Sequence, residues 1–144
     1  MCQQLLPKKA NAIFILLQSI EAGVFENEVA TEIYIWSSKQ INYMLGANGM
    51  HYSYLIGYGN EYVKNPYHKN SACSKSKECG WSFYESLSDN QNTLIGALVG
   101  GPDVNDYHKD TRQNKLGNSV ALEYNAGFQS ALAGLEKKNL QLEK

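Results

Sequence analysis

The feature that most limits how this chain can fold is a long aperiodic stretch set between periodic ones. From Ala47 to Gly117 no helical recurrence of apolar residues persists, and glycine, asparagine, serine and tyrosine dominate. The flanks are different. Ile13, Leu16, Leu17 and Ile20 recur at helical spacing, predicting a helix over 8–22 that stops at Gly23. A second helix is predicted over 27–45, ending at Gly46, with Val29, Ile33, Trp36 and Met44 near one face and Tyr34, Ile41 and Leu45 beside it. A third should open near Asn118, a good N-cap residue, and carry Val120, Tyr124, Phe128, Ala131 and Leu135 along one stripe. Its charged tail, 136–144, is expected to fray. A loop region as long as 47–117 is uncommon in a compact domain unless it carries function. A short buried helix over 93–99 is expected to anchor its middle. The chain therefore reads as all-α, a helical scaffold bearing an extended layer of loops.

With 144 residues the chain can build one domain with a core, taken here as 1–144. Thirteen basic against fourteen acidic residues leave a net charge of −1, which supplies no attractive field for nucleic acid or anionic lipid. The longest apolar run, Ala12 to Leu17, is far too short to cross a bilayer. Near the N-terminus Lys8-Lys9 precede a short apolar stretch that runs into Gln18 and Glu21 with no small-residue cleavage site, so it reads as an amphipathic helix rather than a signal peptide. His51, His68 and His108 show no metal-ligand spacing, and no metal or other cofactor is implied. Cys2, Cys73 and Cys79 make an odd count; the last two are either free thiols or partners, depending on compartment.

Several blocks stand in a fixed order: Ala10-Asn11-Ala12 with Leu16-Leu17-Gln18, Lys39 to Gly46, Gly57-Tyr58-Gly59, and Gly96 to Asp103. The run from Leu94 to Leu135 adds Asn105-Asp106, Asp110-x-Arg112, and a Ser119-Val120-Ala121 turn before Tyr124-Asn125-Ala126-Gly127-Phe128. Together they resemble glycoside hydrolase family 9, the endoglucanases that cut β-1,4-glucans such as cellulose. The resemblance implies the C-terminal portion of the catalytic domain, an incomplete (α/α)6 barrel whose long loops build a glucan cleft at one end. It also implies that the ligand is β-1,4-glucan. Family members are often secreted, and some animal members carry a cysteine pair in the loop where Cys73 and Cys79 stand.

Family 9 enzymes invert the anomeric centre: an aspartate base activates water while a glutamic acid protonates the departing oxygen, the carboxyls lying roughly 6.5–9.5 Å apart. The family's base belongs to an aspartate pair with no counterpart among these residues. Its acid falls at Ser119, whose hydroxyl does not surrender a proton near neutral pH. Glu123, one helical turn on, is about 5–6 Å displaced and reads as a solvated surface carboxylate. The family's Pro-His-x-Arg sugar-binding motif appears as Pro66-Tyr67-His68-Lys69. Tyr67 takes the histidine's place, His68 the variable slot, and Lys69 the arginine's, which keeps charge but loses the planar fork. Two aromatic positions of the helix-opening signature are His108 and Lys115, while Asp110 between them is retained; Asp106 and Arg112 sit at positions that look structural. Tyr52, Tyr54, Tyr58, Tyr62, Tyr67, Trp81 and Tyr84 lie in the region expected to face the cleft; some stack on sugar and others fill the core beneath the loops. The resulting expectation is a cellulase-like fragment that is catalytically inactive. It should self-associate, because Trp36, Ile33, Phe128 and Tyr124 would be left partly uncovered.

Overall fold

A computed structural model of the protein describes residues 5–73, 79–86 and 88–142, with side chains as far as residue 137. Five helices are present among them: α1 (Leu5–Glu21), α2 (Asn27–Met44), the short α3 (Lys69–Ala72) and α4 (Trp81–Glu85), and α5 (Leu122–Leu142). No strand occurs among the described residues, only isolated bridges. The fold is all-α, and its two long loop-free flanks pack on one another.

The first helix buries Leu6, Ala10, Ile13 and Leu17, one residue per turn along a single stripe. It begins a few residues before the predicted start because Pro7 fits the first turn, where its missing N–H costs nothing. Gly23 and Gly46 end α1 and α2 at φ of 70° and 119°, values that a side chain would resist. In α2 the buried face is Ser37, Ile41 and Met44, whereas Val29 and Trp36 stay 44% and 41% exposed. The predicted α2 stripe is thus rotated: only its Met44 end meets the core. Along α5, Phe128, Ala131 and Leu135 are buried against α1. Gly127 is what allows the approach, since a Cβ there would fall 1.9 Å from Asn11 Oδ1. Phe128 is only 2% exposed, so the expectation that it would be left uncovered is wrong; Tyr124 and Ile33 are half-buried.

Two other sequence expectations fail for one physical reason. Residues 93–99 form a turn followed by extended chain, not a helix, and α5 opens at Leu122 rather than near Asn118. In both segments the backbone groups find partners on distant loops. Ile56 N donates to Ala97 O at 3.0 Å and Val99 N to Tyr54 O at 3.1 Å; Gly100 N donates to Ser119 O at 3.0 Å. Bridges pair Leu55 with Leu98 and Val99 with Val120. Extended pieces around 53–56, 97–100 and 117–120 thereby satisfy one another, and Tyr54, Ile56, Val63, Leu98 and Val99 are buried between them and the helices. This is how so long an aperiodic region remains ordered.

Candidate functional site: an aromatic cleft in the loop layer

Asp110 builds the floor of the loop layer. Its carboxylate accepts from Lys64 N at 2.7 Å, Asn65 N at 3.0 Å and Asn118 Nδ2 at 2.8 Å. Asn118 Nδ2 also donates to Asn65 O at 2.6 Å, and Tyr67 N donates to Asn118 O at 2.7 Å. Asn118 is therefore a buried cross-link rather than a helix cap, and it locks residues 65–67 beside the turn containing Ser119. The Ser119 hydroxyl donates to the Lys115 carbonyl, and its own carbonyl accepts from Gly100 N.

Arg112 holds the opposite wall. Only 4% exposed, its guanidinium donates to Ser86 O at 2.7 Å, Phe83 O at 3.0 Å, Ser88 O at 2.6 Å and Asn90 Oδ1 at 2.8 Å, and lies 4.7 Å from the Phe83 ring centroid. Gln113 Nε2 adds a bond to Tyr84 O at 2.7 Å. These contacts fix α4, a helix too short to stand on its own propensity. They set Trp81 and Tyr84 opposite Tyr67. Trp81 meets Tyr84 edge to face at 5.5 Å between centroids, and Tyr84 meets Tyr67 at 6.2 Å. A disulfide between Cys73 and Cys79 ties the end of α3 to the residue before Gly80 and α4. Cys2 lies outside the described residues.

The result is a cleft of about 460 Å³ lined by Tyr67, His68, Lys69, Phe83, Tyr84, Trp81 and Arg112 together with the Cys73–Cys79 bridge. Trp81 is 77% and Tyr67 44% exposed, which leaves ring faces open to a ligand. His68 lines the cleft, but its Nδ1 accepts from Ser71 N at 3.2 Å and so caps α3. Lys115 places its ammonium 5.8 Å from the Tyr67 ring centroid, a cation–π contact.

The structure gathers Tyr67, His68, Lys69 and Trp81 into one cleft, with Ser119 next to it in the chain's cross-linking. Tyr58 is half-exposed on another loop and outside that lining. Tyr54 is fully buried core, and Tyr52 packs on His108, its hydroxyl meeting His108 Nδ1. Burial pushes the His108 imidazole below its ordinary value, partly offset by the Gly117 backbone, Asp110 and Asn118. The same burial pushes the Tyr54 phenol up to about 12. Sequence reasoning missed Phe83, the part Arg112 plays in the cleft, and the placement of Lys115 over Tyr67. Only the Asp-x-Arg spacing hinted that Arg112 would matter. Among the described residues no cluster of three or more potential metal ligands occurs.

Comparison with known proteins agrees with this architecture. A sequence model of Glycosyl hydrolase family 9 matches residues 4–132. Endoglucanase 25 of Arabidopsis thaliana is 36% identical over 105 residues, covering 69% of this chain and 17% of that protein. An endoglucanase of Dictyostelium discoideum is 38% identical over 100 residues, covering 69% and 14%. Among solved structures, the endoglucanase of the termite Nasutitermes takasagoensis superposes with a TM-score of 0.82 at 40% identity, over 92% of this chain and 30% of that one. The cellulase Cel9M of C. cellulolyticum, solved with cellobiose, gives 0.78 at 29% identity over 95% and 30%. This chain thus spans less than a third of each of these proteins, and its all-α scaffold corresponds to part of their (α/α)6 barrel. With an ordered loop layer, an aromatic cleft and a family match across most of its residues, the chain belongs to glycosyl hydrolase family 9.

Proposed function

We propose that this chain holds β-1,4-glucan in the Tyr67–Trp81–Tyr84 cleft and does not hydrolyse it. The observation that carries the second half is Ser119 at the position where the family resemblance expects the proton-donating glutamate. Its hydroxyl is engaged with the Lys115 carbonyl, and a neutral hydroxyl cannot protonate a sugar leaving group near neutral pH. Losing a general acid typically costs about 10²–10⁴ in rate. Asp110, the carboxylate retained in the same motif, is engaged by three N–H donors and serves the fold.

Support for the first half comes from the exposed rings. Sugar faces stack on aromatic surfaces, and the cleft offers Trp81 and Tyr67 at an angle, with Tyr84 between them. Related proteins have been solved with short glucans bound: Cel9M with cellobiose and CelQ of Clostridium thermocellum with cellotriose. The test is retention on insoluble cellulose. The chain should be pulled down, and Trp81→Ala and Tyr67→Ala should each lose most of the retention without change in thermal stability. Equal retention of both variants would remove the cleft as the binding surface.

A second reading is a working part of a longer cellulase, favoured by the small share of each relative that the chain spans. It requires a carboxylic acid from elsewhere to take the place of Ser119.

A further inference from the structure

Among the described residues the formal charge of the cleft lining has one sign: it contains Lys69 and Arg112 but no aspartate or glutamate. Lys115 adds a further cation over the Tyr67 ring at the cleft's edge. Among the described residues the ion pair within 4 Å is Lys137–Glu21, on the far helices, so Lys69, Arg112 and Lys115 have no carboxylate counterion within that distance. Arg112 is buried and its bonded partners are carbonyls, amide oxygens and a hydroxyl of its own wall, which leaves Lys69 and Lys115 as the cations open to a ligand. The carboxylates nearest by bonding, Asp89 and Asp110, are turned toward Asn65, Lys64 and Asn118 and do not line the cleft. At position 119 an uncharged hydroxyl stands where the family resemblance expects an acid.

We infer that the preferred ligand of the cleft is an acidic oligosaccharide, a β-1,4-linked chain bearing ring carboxylates, rather than neutral glucan. This rests on the reading that the cleft binds glucan-like chains, and adds the charge of the ligand. Trp81 and Tyr67 take the sugar faces, which are common to neutral and acidic chains. Lys69 in the lining and Lys115, its ammonium 5.8 Å from the Tyr67 ring centroid, take the carboxylates. Both lysines are exposed, so each carboxylate contact is screened by salt. Two such contacts favour the acidic chain by roughly two- to thirty-fold.

The experiment is titration of the full chain with cellotetraose and with its C6-oxidised counterpart, a tetramer of β-1,4-linked glucuronic acid, at about 0.01 M and about 0.15 M ionic strength. The oxidised tetramer should bind more tightly at low salt, and the preference should shrink at the higher. In Lys69→Gln/Lys115→Gln the two ligands should bind alike, judged by the ratio of their affinities whatever the level of neutral binding. Equal affinities in the unsubstituted chain, or tighter binding of cellotetraose, would overturn the inference while leaving glucan binding intact. A preference that survives both salt and the double substitution would overturn it too, because its cause would not be these charges. Failure of both tetramers to bind would remove this inference together with the glucan-binding reading.

Discussion

Asp110 and His108 sit two residues apart and are held in different ways. Asp110 collects three N–H donors from two loops, so replacing one oxygen by an amide should be costly. Asp110→Asn turns an acceptor into a donor facing N–H groups. It should lose about 1.5–3 kcal/mol of unfolding free energy, measured by urea denaturation, since bonds to charged groups are worth that much. A loss below half a kcal/mol would mean that the loops are held without it. His108 instead stays neutral, because burial lowers its affinity for protons in the folded state. The unfolded chain then binds more protons than the folded one as pH falls below the ordinary histidine value of about 6.5. Stability contributed by neutral His108 is present above that pH and lost on further acidification. The difference in denaturation midpoint between about pH 7.5 and about pH 5 should therefore shrink in His108→Phe, which restores an aromatic side chain at this position. An unchanged difference would assign the acid sensitivity to other groups.

At the scale of elements, the α1–α5 contact is governed by two glycines that behave differently. At Gly127 a Cβ would fall 1.9 Å from Asn11 Oδ1 and 3.0 Å from Asn11 Cα, so backbone as well as side chain must yield. At Gly134 the nearest atom is Leu17 Cδ1 at 3.0 Å, the end of a rotatable side chain. Gly127→Ala should destabilise by about 1–3 kcal/mol. Gly134→Ala should be near neutral, because a helix gains about 1 kcal/mol from the exchange and Leu17 can shift. Thermal melts of the two variants check the contrast, and equal losses would contradict it. The same elements show what a sequence can reveal. The helices α1 and α2 were legible because their stops and apolar recurrence are local. The opening of α5 and the segment 93–99 were not, because Val99, Ser119 and Val120 bond to residues far away in the chain. Asn118 looked like a cap by type, yet its amide was already engaged by Asn65 and Asp110.

For the molecule as a whole, the loop layer and the helices present different surfaces. The cleft residues Tyr67, Lys69 and Trp81 could be named from motif and residue type, whereas the wall opposite, held by Arg112 through carbonyls of 83–88, depends on contacts that no local pattern encodes. On the helical side, Ile15, Val29, Ile35 and Trp36 are all more than 40% exposed, and Leu16, Ile33 and Trp36 line a shallow groove of about 330 Å³. Apolar exposure on that scale marks a surface that associates. The chain should sediment as a concentration-dependent oligomer, and Trp36→Glu/Ile33→Lys should shift it toward monomer; a monodisperse monomer at every concentration would show that the face is tolerated in water. The cleft is proposed to hold glucan without cutting it. Cellotetraose should be incubated with the chain while Trp81 fluorescence and reducing ends are followed together, with Trp81→Phe separating the signal from that of Trp36. A saturable fluorescence change that Trp81→Phe abolishes is expected, with no reducing ends above a heat-killed control. Release of cellobiose by the unsubstituted chain would contradict it.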